Sequence, residues 1–278
     1  MVKNIVYFKP YKFLEKAGIS FADFAKGKPY YNESAFLFEK GGSRSPYTRK
    51  EANFVVSLAK KYFKNPKKFL DIPCGVGRHA RIISKRGFKV VGVDASDALL
   101  KIAKAQDRRT AYKRYDMRKF ALSGKFDVVF SLWDAYTYLS RTEDIRAFLR
   151  NVRRHLKDGG LLILDSRNFW KKFPKDRLTH KVVYAKPYDV EIIARRNTNL
   201  KERVHESFFV YTMINRKNIK DHGVIFDQEL VRIYSPASIA RLFRKKFKIL
   251  GLFGDFDIKA HYDKANSDRL IVLAQKLG

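Results

Sequence analysis

The chain has 278 residues, 45% of them hydrophobic and 14% aromatic, enough to bury the core of one large α/β domain, alone or with a subdomain. No run reaches the ~18 consecutive apolar residues of a membrane span, and residues 1–18 lack the apolar region and cleavage site of a signal peptide. The single cysteine, Cys74, excludes an internal disulfide. We therefore expect a cytoplasmic protein that does not enter a membrane.

The chain is strongly basic, with 59 Lys and Arg against 28 Asp and Glu and a formal net charge of +31. Such a charge fits a polyanionic partner such as RNA, or a general basic bias of the surface. Basic pairs are scattered along the whole chain: Lys60-Lys61, Arg108-Arg109, Arg153-Arg154, Lys171-Lys172, Arg195-Arg196 and Lys245-Lys246. The scatter favours a general bias, and non-specific RNA binding stays open.

Residues 1–48 are aromatic and show neither helical nor strand periodicity, with turn-forming residues at both ends of the stretch 28–47. We predict that this segment is a lid. From Thr48 a helix is predicted, because apolar residues recur at helical spacing until Asn65-Pro66 ends it. Those residues are Phe54, Val55, Leu58, Ala59, Tyr62 and Phe63.

Strands and helices then alternate, which predicts a parallel, doubly wound α/β core over residues 49–170. The predicted strands are 68–72, 89–93, 111–115, 126–132 and 161–165, and the predicted helices are 77–87, 97–106 and 143–156.

The pattern changes to antiparallel strands over residues 180–234, which predicts a β insert after strand five. Ser235-Pro236 then opens a helix. Two last strands, FKILGLFGDF and DRLIVLAQK, complete a segment 235–278. This pair at the end of the parallel sheet predicts a seven-stranded mixed sheet.

The stretch 68–96, KFLDIPCGVGRHARIISKRGFKVVGVDAS, predicts a strand, a glycine turn, a helix and a second strand. Such a unit holds a nucleotide-like ligand, and Gly75, Gly77 and Ala80 also satisfy the dinucleotide fingerprint. NAD and S-adenosylmethionine are the two candidates. Gly75, Gly77 and Asp94 suit either ligand, because a carboxylate at the end of the second strand can hold ribose hydroxyls.

Asp71 favours S-adenosylmethionine. It lies four residues before Gly75, at the tip of the first strand. A carboxylate there attracts an ammonium group and repels a pyrophosphate. Asp116, expected at the end of the third strand, can meet an adenine edge. An NAD-binding domain would not account for both Asp71 and Asp116, or for the pair of strands at the end of the chain.

These residues resemble motifs I and II of class I S-adenosylmethionine-dependent methyltransferases. DMRKF (116–120), KFDVVFSLWDAYTYLS (125–140) and LKDGGLLILD (156–165) are similar to later motifs of that superfamily. The resemblance implies a Rossmann-like fold, S-adenosylmethionine as cofactor and methyl transfer as activity. The antiparallel insert resembles that of glycine/sarcosine and amino-sugar N-methyltransferases, which implies a small-molecule acceptor with an amine.

The resemblance also implies roles for single residues. The methionine portion would lie against Asp71, Pro73, Cys74, Gly75 and Gly77, and Cys74 itself is expected to be a small buried thiol. Asp94 and Ala95 would hold the ribose, Asp116 and Met117 would flank the adenine, and Ser131 and Leu132 would line the sulfonium side. Tyr47 and Arg49 would reach the methionine carboxylate.

The acceptor site is less defined. Trp133, Tyr136 and His205 are the catalytic candidates, with Trp133 and Tyr136 expected at the mouth shared by cofactor and acceptor. No metal-ligand spacing occurs among the histidines, so no metal is expected. Further acceptor-side candidates in the insert are Tyr184, Arg195, Glu206, Tyr211 and Arg232.

Three functions remain open at this point. They are methyl transfer to a small amine, methylation of RNA or protein through the basic surface, and a non-catalytic subunit that binds S-adenosylmethionine. SLWDAY (131–136) stands where base-methylating enzymes carry a base clamp, which favours the first. The sequence leaves the oligomeric state open.

Overall fold

The computed structural model describes residues 47–171, 176–185 and 188–278, so the predicted lid lies almost wholly outside the described residues. The helices are α1 (Thr48–Tyr62), α2 (Arg78–Ser84), α3 (Asp97–Gln106), α4 (Thr142–His155) and α5 (Pro236–Phe243), with a 3-10 helix at Ala135–Tyr138. The strands of the first sheet are β1 (Lys68–Asp71), β2 (Lys89–Asp94), β3 (Ala111–Arg114), β4 (Phe126–Ser131), β5 (Leu156–Arg167), β10 (Phe247–Phe253) and β11 (Arg269–Lys276). The strands of the second are β6 (Asp176–Ala185), β7 (Tyr188–Asn199), β8 (Val204–Asn215) and β9 (Asn218–Arg232).

The first sheet has seven strands in the order β10-β11-β5-β4-β1-β2-β3. Strands β1 to β5 pair in parallel, whereas β11 is antiparallel to both β5 and β10. The prediction of a doubly wound, seven-stranded mixed sheet is confirmed.

Both faces of this sheet are buried, because helices cover each of them. Neighbouring residues of β1 point to opposite faces: Phe69 packs in a cluster with α1 and α2, whereas Leu70 packs in a cluster with α4 and α5. All six residues of β4 are buried. The centre of the sheet is therefore rigidly held, and its carboxyl edge is a firm base for a site.

Two strand boundaries differ from the sequence prediction. β5 begins at Leu156 rather than 161, directly after α4, and a register shift against β4 takes up the extra residues around Gly159, whose φ is +69°. β3 ends at Arg114, so Asp116 lies two residues beyond the strand rather than at its end.

The second sheet is an antiparallel meander of four strands in the order β6-β7-β8-β9, which we call the insert sheet. It begins at Asp176, before the predicted start at residue 180. Residues 180–197, which look like one extended segment in the sequence, belong to two strands, since β6 ends at Ala185 and β7 begins at Tyr188. None of the described helices is long and apolar enough to cross a membrane.

Candidate active site

Asp71 ends β1 at the carboxyl edge of the sheet, where it is almost fully buried. Burial raises the pKa of this carboxyl well above its usual range, although a hydrogen bond from the Ala80 backbone and the charge of Arg78 oppose the rise. Its Oδ2 has no hydrogen-bond partner among the described residues. A buried oxygen without a donor is costly, so Asp71 is suited to a ligand that brings a donor of its own.

The glycine turn between β1 and α2 leaves room in front of Asp71. Gly75 has a φ of +54°, and a Cβ there would meet no atom within 4 Å, so its backbone faces open space. Gly77 has a φ of +70°, and a Cβ there would clash with the Tyr112 side chain. Both positions favour glycine, one for close approach of a ligand and the other for packing of the turn.

Asp94 ends β2 beside the same turn. Its Oδ2 accepts from the Gly75 backbone N–H at 2.8 Å, and its Oδ1 accepts from Ser96 N–H at 2.9 Å. Burial raises the pKa of Asp94, although hydrogen bonds from the backbone N–H groups of Ser96, Gly75 and Ala95 oppose the rise. Each carboxylate oxygen can accept a further hydrogen bond, so Asp94 both shapes the turn and remains able to bind hydroxyl groups.

Ser131 and Leu132, at the end of β4, are buried next to the end of β1, because β1 and β4 are paired neighbours. The Ser131 Oγ, like Asp71 Oδ2, has no hydrogen-bond partner among the described residues. Two unpartnered oxygens, an open glycine turn and a fixed carboxylate therefore share one edge of the sheet. This edge fits S-adenosylmethionine, whose ammonium, ribose and sulfonium groups would meet Asp71, Asp94 and the end of β4.

Trp133 follows β4 in a left-handed conformation, with a φ of +60°, as does Asp134, with a φ of +62°. Its side chain is 47% exposed, and its backbone N–H donates to Asp165 Oδ2 at 2.7 Å. The indole Nε1 donates to Glu51 Oε1 at 2.9 Å, and the Arg78 guanidinium lies 4.1 Å from the ring centroid. Residues with a positive φ are strained and persist where neighbours fix them, as these contacts do.

Glu51, on α1, is buried and joins three elements, because His79 Nε2 lies 2.6 Å and Arg78 Nη1 lies 3.8 Å from its Oε2. Burial and the charge of Arg78 lower the pKa of His79 to about 4, so this ring is neutral at pH 7 and donates to Glu51. Burial acts to raise the pKa of Glu51, but hydrogen bonds from His79 and Trp133 and the charge of Arg78 lower it overall. Glu51 is therefore an ionised anchor for Trp133.

Asp165, fully buried in β5, anchors the same loop from the other side. Arg269 of β11 donates to it twice, at 2.8 and 2.6 Å, and lies 3.6 Å from Asp134. Arg167 Nε donates to Asp134 Oδ2 at 2.8 Å. The loop after β4 is thus held by charged pairs from β5 and β11.

Residues 69–160 match the family described as Methyltransferase domain. The chain carries an S-adenosylmethionine-dependent methyltransferase domain. It is 29% identical to a dTDP-4-amino-2,3,4,6-tetradeoxy-D-glucose N,N-dimethyltransferase of Saccharopolyspora spinosa, over 62% of this chain and 68% of that protein. It is 31% identical to a glycine/sarcosine N-methyltransferase of Parasynechococcus marenigrum (strain WH8102), over 43% of this chain and 44% of that protein. The alignments thus leave just under a third of the first relative and more than half of the second unmatched.

A solved structure supports the methyltransferase fold. S-adenosylmethionine-bound CalS10, an amino pentose methyltransferase from Micromonospora echinaspora, matches with a TM-score of 0.69 and 20% identity, covering 86% of this chain and 96% of that one. The family match over residues 69–160 and this shared fold together confirm the cofactor predicted from the sequence, whereas the roles of single residues remain predictions.

The remaining residues predicted to bind the cofactor differ in their exposure and in their contacts. Tyr47 is exposed just before α1, whereas Arg49 lines a groove with Asn53 and Ile258. Asp116 is paired with Arg118 at 2.6 Å. In the glycine turn, the Ile72-Pro73 peptide is cis and Cys74 is buried, while Ala95 is exposed beside Asp94 and Met117 packs on the core.

Tyr136 lies in the core, not at the mouth where it was predicted. It is 1% exposed, its hydroxyl donates to Ser166 Oγ at 3.1 Å, and its ring packs against Tyr234. Burial raises its pKa further above the usual range. Of the two aromatic residues predicted at the mouth of the methyltransferase, only Trp133 lies near the surface.

The register of the insert sheet divides the predicted acceptor-side residues between two faces. We call the side with His205, Ser207, Phe209 and Tyr211 the inner face, and the side with Glu206, Phe208, Val210 and Thr212 the outer face. His205 and Tyr211 are buried on the inner face. The outer face holds Tyr184, Arg195, Glu206 and Arg232.

The inner face holds two candidates that the sequence did not indicate, Arg196 and Glu229. Both lie in line with Ser207 across adjacent strands. The Tyr138 hydroxyl donates to Glu229 Oε1 at 2.7 Å, which joins the 3-10 helix after Trp133 to β9. Arg196 Nη1 donates to Thr179 Oγ1 at 2.6 Å, and burial together with the charge of Arg167 lowers its pKa.

His205 is surrounded by hydroxyl groups of its own sheet. Its Nδ1 lies 2.8 Å from Thr198 Oγ1 and its Nε2 lies 3.2 Å from Ser207 Oγ. Burial and the charges of Arg167 and Arg196 lower its pKa to about 4. With both ring nitrogens engaged and a low pKa, this side chain is a weak candidate for a catalytic base.

Proposed function

We propose that the methyltransferase transfers the methyl group of S-adenosylmethionine to the nitrogen of a small amine. One observation carries the proposal: the Tyr138–Glu229 hydrogen bond brings the inner face of the insert sheet next to the loop of Trp133. A carboxylate of the insert sheet therefore lies beside the 3-10 helix that follows the Trp133 loop. An amine can donate hydrogen bonds to Glu229 and keep its lone pair free.

S-adenosylmethionine supplies a methyl group on a positively charged sulfur. The protein has to align the acceptor nitrogen with the methyl group and to exclude water from both. It needs no strong base, because a neutral amine can attack directly. Trp133, fixed by Glu51, Arg78 and Asp165, covers the mouth and limits the entry of water. Glu229 orients the acceptor, and His205, neutral at pH 7, supports the inner face.

The names of the relatives support an amine acceptor. One is a dimethyltransferase of a dTDP-linked amino sugar and another acts on glycine and sarcosine. Both classes of acceptor carry an amine in a small molecule. SLWDAY at 131–136 also lacks the paired prolines of a base clamp.

A screen for methyl transfer tests the proposal. Full-length protein and radiolabelled S-adenosylmethionine are incubated with amine metabolites, amino acids, amino sugars, a protein extract and total RNA. We expect label in a small amine, and an Asp94→Ala variant as control should lose it. Label in RNA at a defined nucleotide, with none in amines, would replace this proposal.

The net charge of +31 supports a second candidate, methylation of RNA in the cytoplasm. Binding alone does not separate the candidates, because a chain so basic attracts any polyanion and releases it as salt rises. Turnover separates them. We expect RNA to be bound without modification, and methylated RNA at turnover rates would favour the second candidate.

A further inference from the structure

A cavity of about 510 Å³ lies between α4, α5 and the adjoining ends of the insert strands, and we call it the basic groove. Six of its thirteen lining residues are Lys or Arg and none is Asp or Glu, in a chain whose 278 residues include 59 basic and 28 acidic ones. The six are Arg146, Arg203, Arg232, Arg241, Arg244 and Lys246. Its volume is within the range of small-molecule sites, ~300–1,000 Å³.

The six cations of the basic groove come from separate parts of the chain. One belongs to α4, one to the turn between β7 and β8, one to the end of β9, and three to α5 and the turn before β10. A general basic bias spreads positive charge over the surface, whereas here the fold gathers it around one cavity. Like charges held together in this way repel one another, and a bound anion would relieve the repulsion.

No carboxylate of the protein offsets this charge. The two acidic residues in the first turn of α4 are paired elsewhere, Glu143 with Arg141 at 3.6 Å and Asp144 with Arg118 at 3.2 Å. In the part of the chain that the structure describes, none of the six cations forms an ion pair. Their charges are therefore available to a ligand.

The floor of the basic groove is already fixed by hydrogen bonds. Tyr234 is buried, and its hydroxyl donates to the Leu139 carbonyl at 2.9 Å. The Ile233 N–H donates to the Arg203 carbonyl at 2.8 Å. Arg203 has a φ of +57°, a strained conformation that persists where neighbours fix it. A cavity that is held in this way binds a ligand at a small cost in ordering.

The chemistry of the lining favours phosphate groups. Five of the six cations are Arg, whose planar guanidinium binds two phosphate oxygens at once. Thr142, the first residue of α4, also lines the groove, and no side chain caps this helix N-terminus, which favours negative charge. The single aromatic lining residue, Tyr234, is buried with its hydroxyl engaged, so the groove offers no exposed ring on which a base could stack.

We propose that the basic groove binds a compact chain of phosphate groups, recognised through the phosphates themselves. No residue of the cofactor edge lines the groove, and neither does Arg196 or Glu229 of the inner face. Arg232, which the sequence suggested for the acceptor side, belongs to the groove instead. The site is therefore separate from the methyl-transfer site and independent of the proposed function.

Calorimetry on the full chain, treated with nuclease, tests the proposal with tripolyphosphate as the probe. We expect one tripolyphosphate per chain, bound more weakly as salt rises, and inorganic phosphate bound at least tenfold more weakly because it meets fewer cations. ATP is the second arm: equal affinity would mean that a nucleotide can supply the chain of phosphates, and lower affinity would assign the site to the free form. No binding of tripolyphosphate would overturn the proposal.

Paired variants separate the groove from the net charge of +31. Arg146→Gln combined with Arg241→Gln, both at exposed side chains of the groove, should weaken tripolyphosphate binding about tenfold or more. Arg108→Gln combined with Arg109→Gln, at exposed residues before β3, removes the same charge and should have little effect. Equal weakening in both variants would contradict the proposal. Both should bind S-adenosylhomocysteine like the wild type.

A 20-nucleotide RNA distinguishes a compact ligand from a nucleic acid. We expect the RNA to bind over the whole basic surface, so that the two paired variants weaken its binding alike. RNA binding that is lost in the groove variant alone, without any binding of tripolyphosphate, would replace the compact ligand by a nucleic acid and overturn the proposal.

A labelling experiment covers the case in which the groove variant fails to fold. Cys74 is buried, so Thr142→Cys would introduce an accessible thiol at the groove. Tripolyphosphate should slow its alkylation several-fold, and should leave the rate unchanged in Ser123→Cys, at an exposed residue outside the groove. Equal alkylation of Thr142→Cys with and without tripolyphosphate would show that the groove stays empty.

Discussion

The indole Nε1 of Trp133 donates a hydrogen bond of 2.9 Å to Glu51, which lies 82 residues earlier in the chain. This contact joins the first helix to the loop that follows β4. The same Glu51 carboxylate is hydrogen-bonded to His79 of α2, the helix that follows the glycine turn, and Arg78 of α2 stacks on the indole. The buried Glu51 therefore links α2 to the loop that carries Trp133. Glu51 thus positions Trp133.

Removal of the Glu51 carboxylate should release Trp133. In Glu51→Ala we expect kcat/KM for the acceptor to fall on the order of tenfold to a hundredfold, since a hydrogen bond to a charged group is lost. Glu51→Gln, which keeps an acceptor oxygen, should fall less. In a Trp170→Phe background, which leaves Trp133 as the single tryptophan, its emission should shift to the red in Glu51→Ala. Unchanged kinetics and emission would show that Glu51 does not hold the indole.

Asp94→Ala should weaken binding of S-adenosylmethionine by about tenfold to a hundredfold, because a charged acceptor for hydroxyl groups is removed. The variant also removes the partner of the Gly75 N–H. The affinity of Asp94→Asn, which retains one acceptor oxygen, should lie between those of the wild type and Asp94→Ala. Calorimetry measures the dissociation constants, and an unchanged value in a folded variant would place the ribose elsewhere.

Asp94 was found from the sequence because its signal is local. It lies 19 residues after Gly75, and a strand, turn, helix and strand place the pair at one edge. Glu51 and Arg269 gave no such signal, since their partners Trp133 and Asp165 are 82 and 104 residues away. Such pairs depend on how the whole sheet assembles, which local periodicity does not encode.

The insert shows a second kind of limit. Alternation predicts the antiparallel strands, but it does not show whether the odd- or the even-numbered residues of each strand point to the inner face. A shift of one residue exchanges the two faces, so alternation predicts Arg195 on the acceptor side, whereas Arg196 lies on the inner face. For the same reason, alternation does not indicate that Glu229 lies on the inner face.

Affinity for S-adenosylmethionine should depend on pH through Asp71. Burial holds its pKa well above the usual range, so the carboxyl must lose a proton before it can pair with an ammonium group. Binding should therefore strengthen as pH rises and weaken as pH falls. Asp71→Asn should bind S-adenosylmethionine weakly, and its affinity should depend less on pH.

NAD should give no calorimetric response at any pH, and tight NAD binding would contradict the ligand assignment.

His79 should make the fold sensitive to acid. Its pKa is lowered from 6.5 to about 4, so protons bind more strongly to the unfolded chain and the stabilising effect, complete above pH 6.5, is lost towards pH 4. Between pH 7.5 and 4.5 the wild type should lose about 2–3 kcal/mol of unfolding free energy relative to His79→Gln. His180→Gln, at an exposed histidine, is the control. Parallel curves for wild type and His79→Gln would contradict the burial argument.

Glu229 should determine how well the acceptor amine is held. Glu229→Gln keeps the size of the side chain and an acceptor for the Tyr138 hydroxyl, but removes the charge that attracts an amine. We expect KM for the amine to rise about tenfold with a smaller change in kcat, because the lost interaction is made before and during transfer alike. Affinity for S-adenosylhomocysteine should not change, since Glu229 belongs to the insert sheet, whereas Asp71 and Asp94 end strands of the first sheet.

The outer face provides the matched control for this change. Glu206→Gln removes the same charge from the neighbouring strand, on the side away from the cofactor edge. It should leave KM for the amine at the wild-type value. If Glu206→Gln raised KM as much as Glu229→Gln, the effect would come from the net charge of the insert sheet and not from a contact with the acceptor. Tyr138→Phe should give an intermediate KM, because Glu229 keeps its charge but loses the donor that orients it.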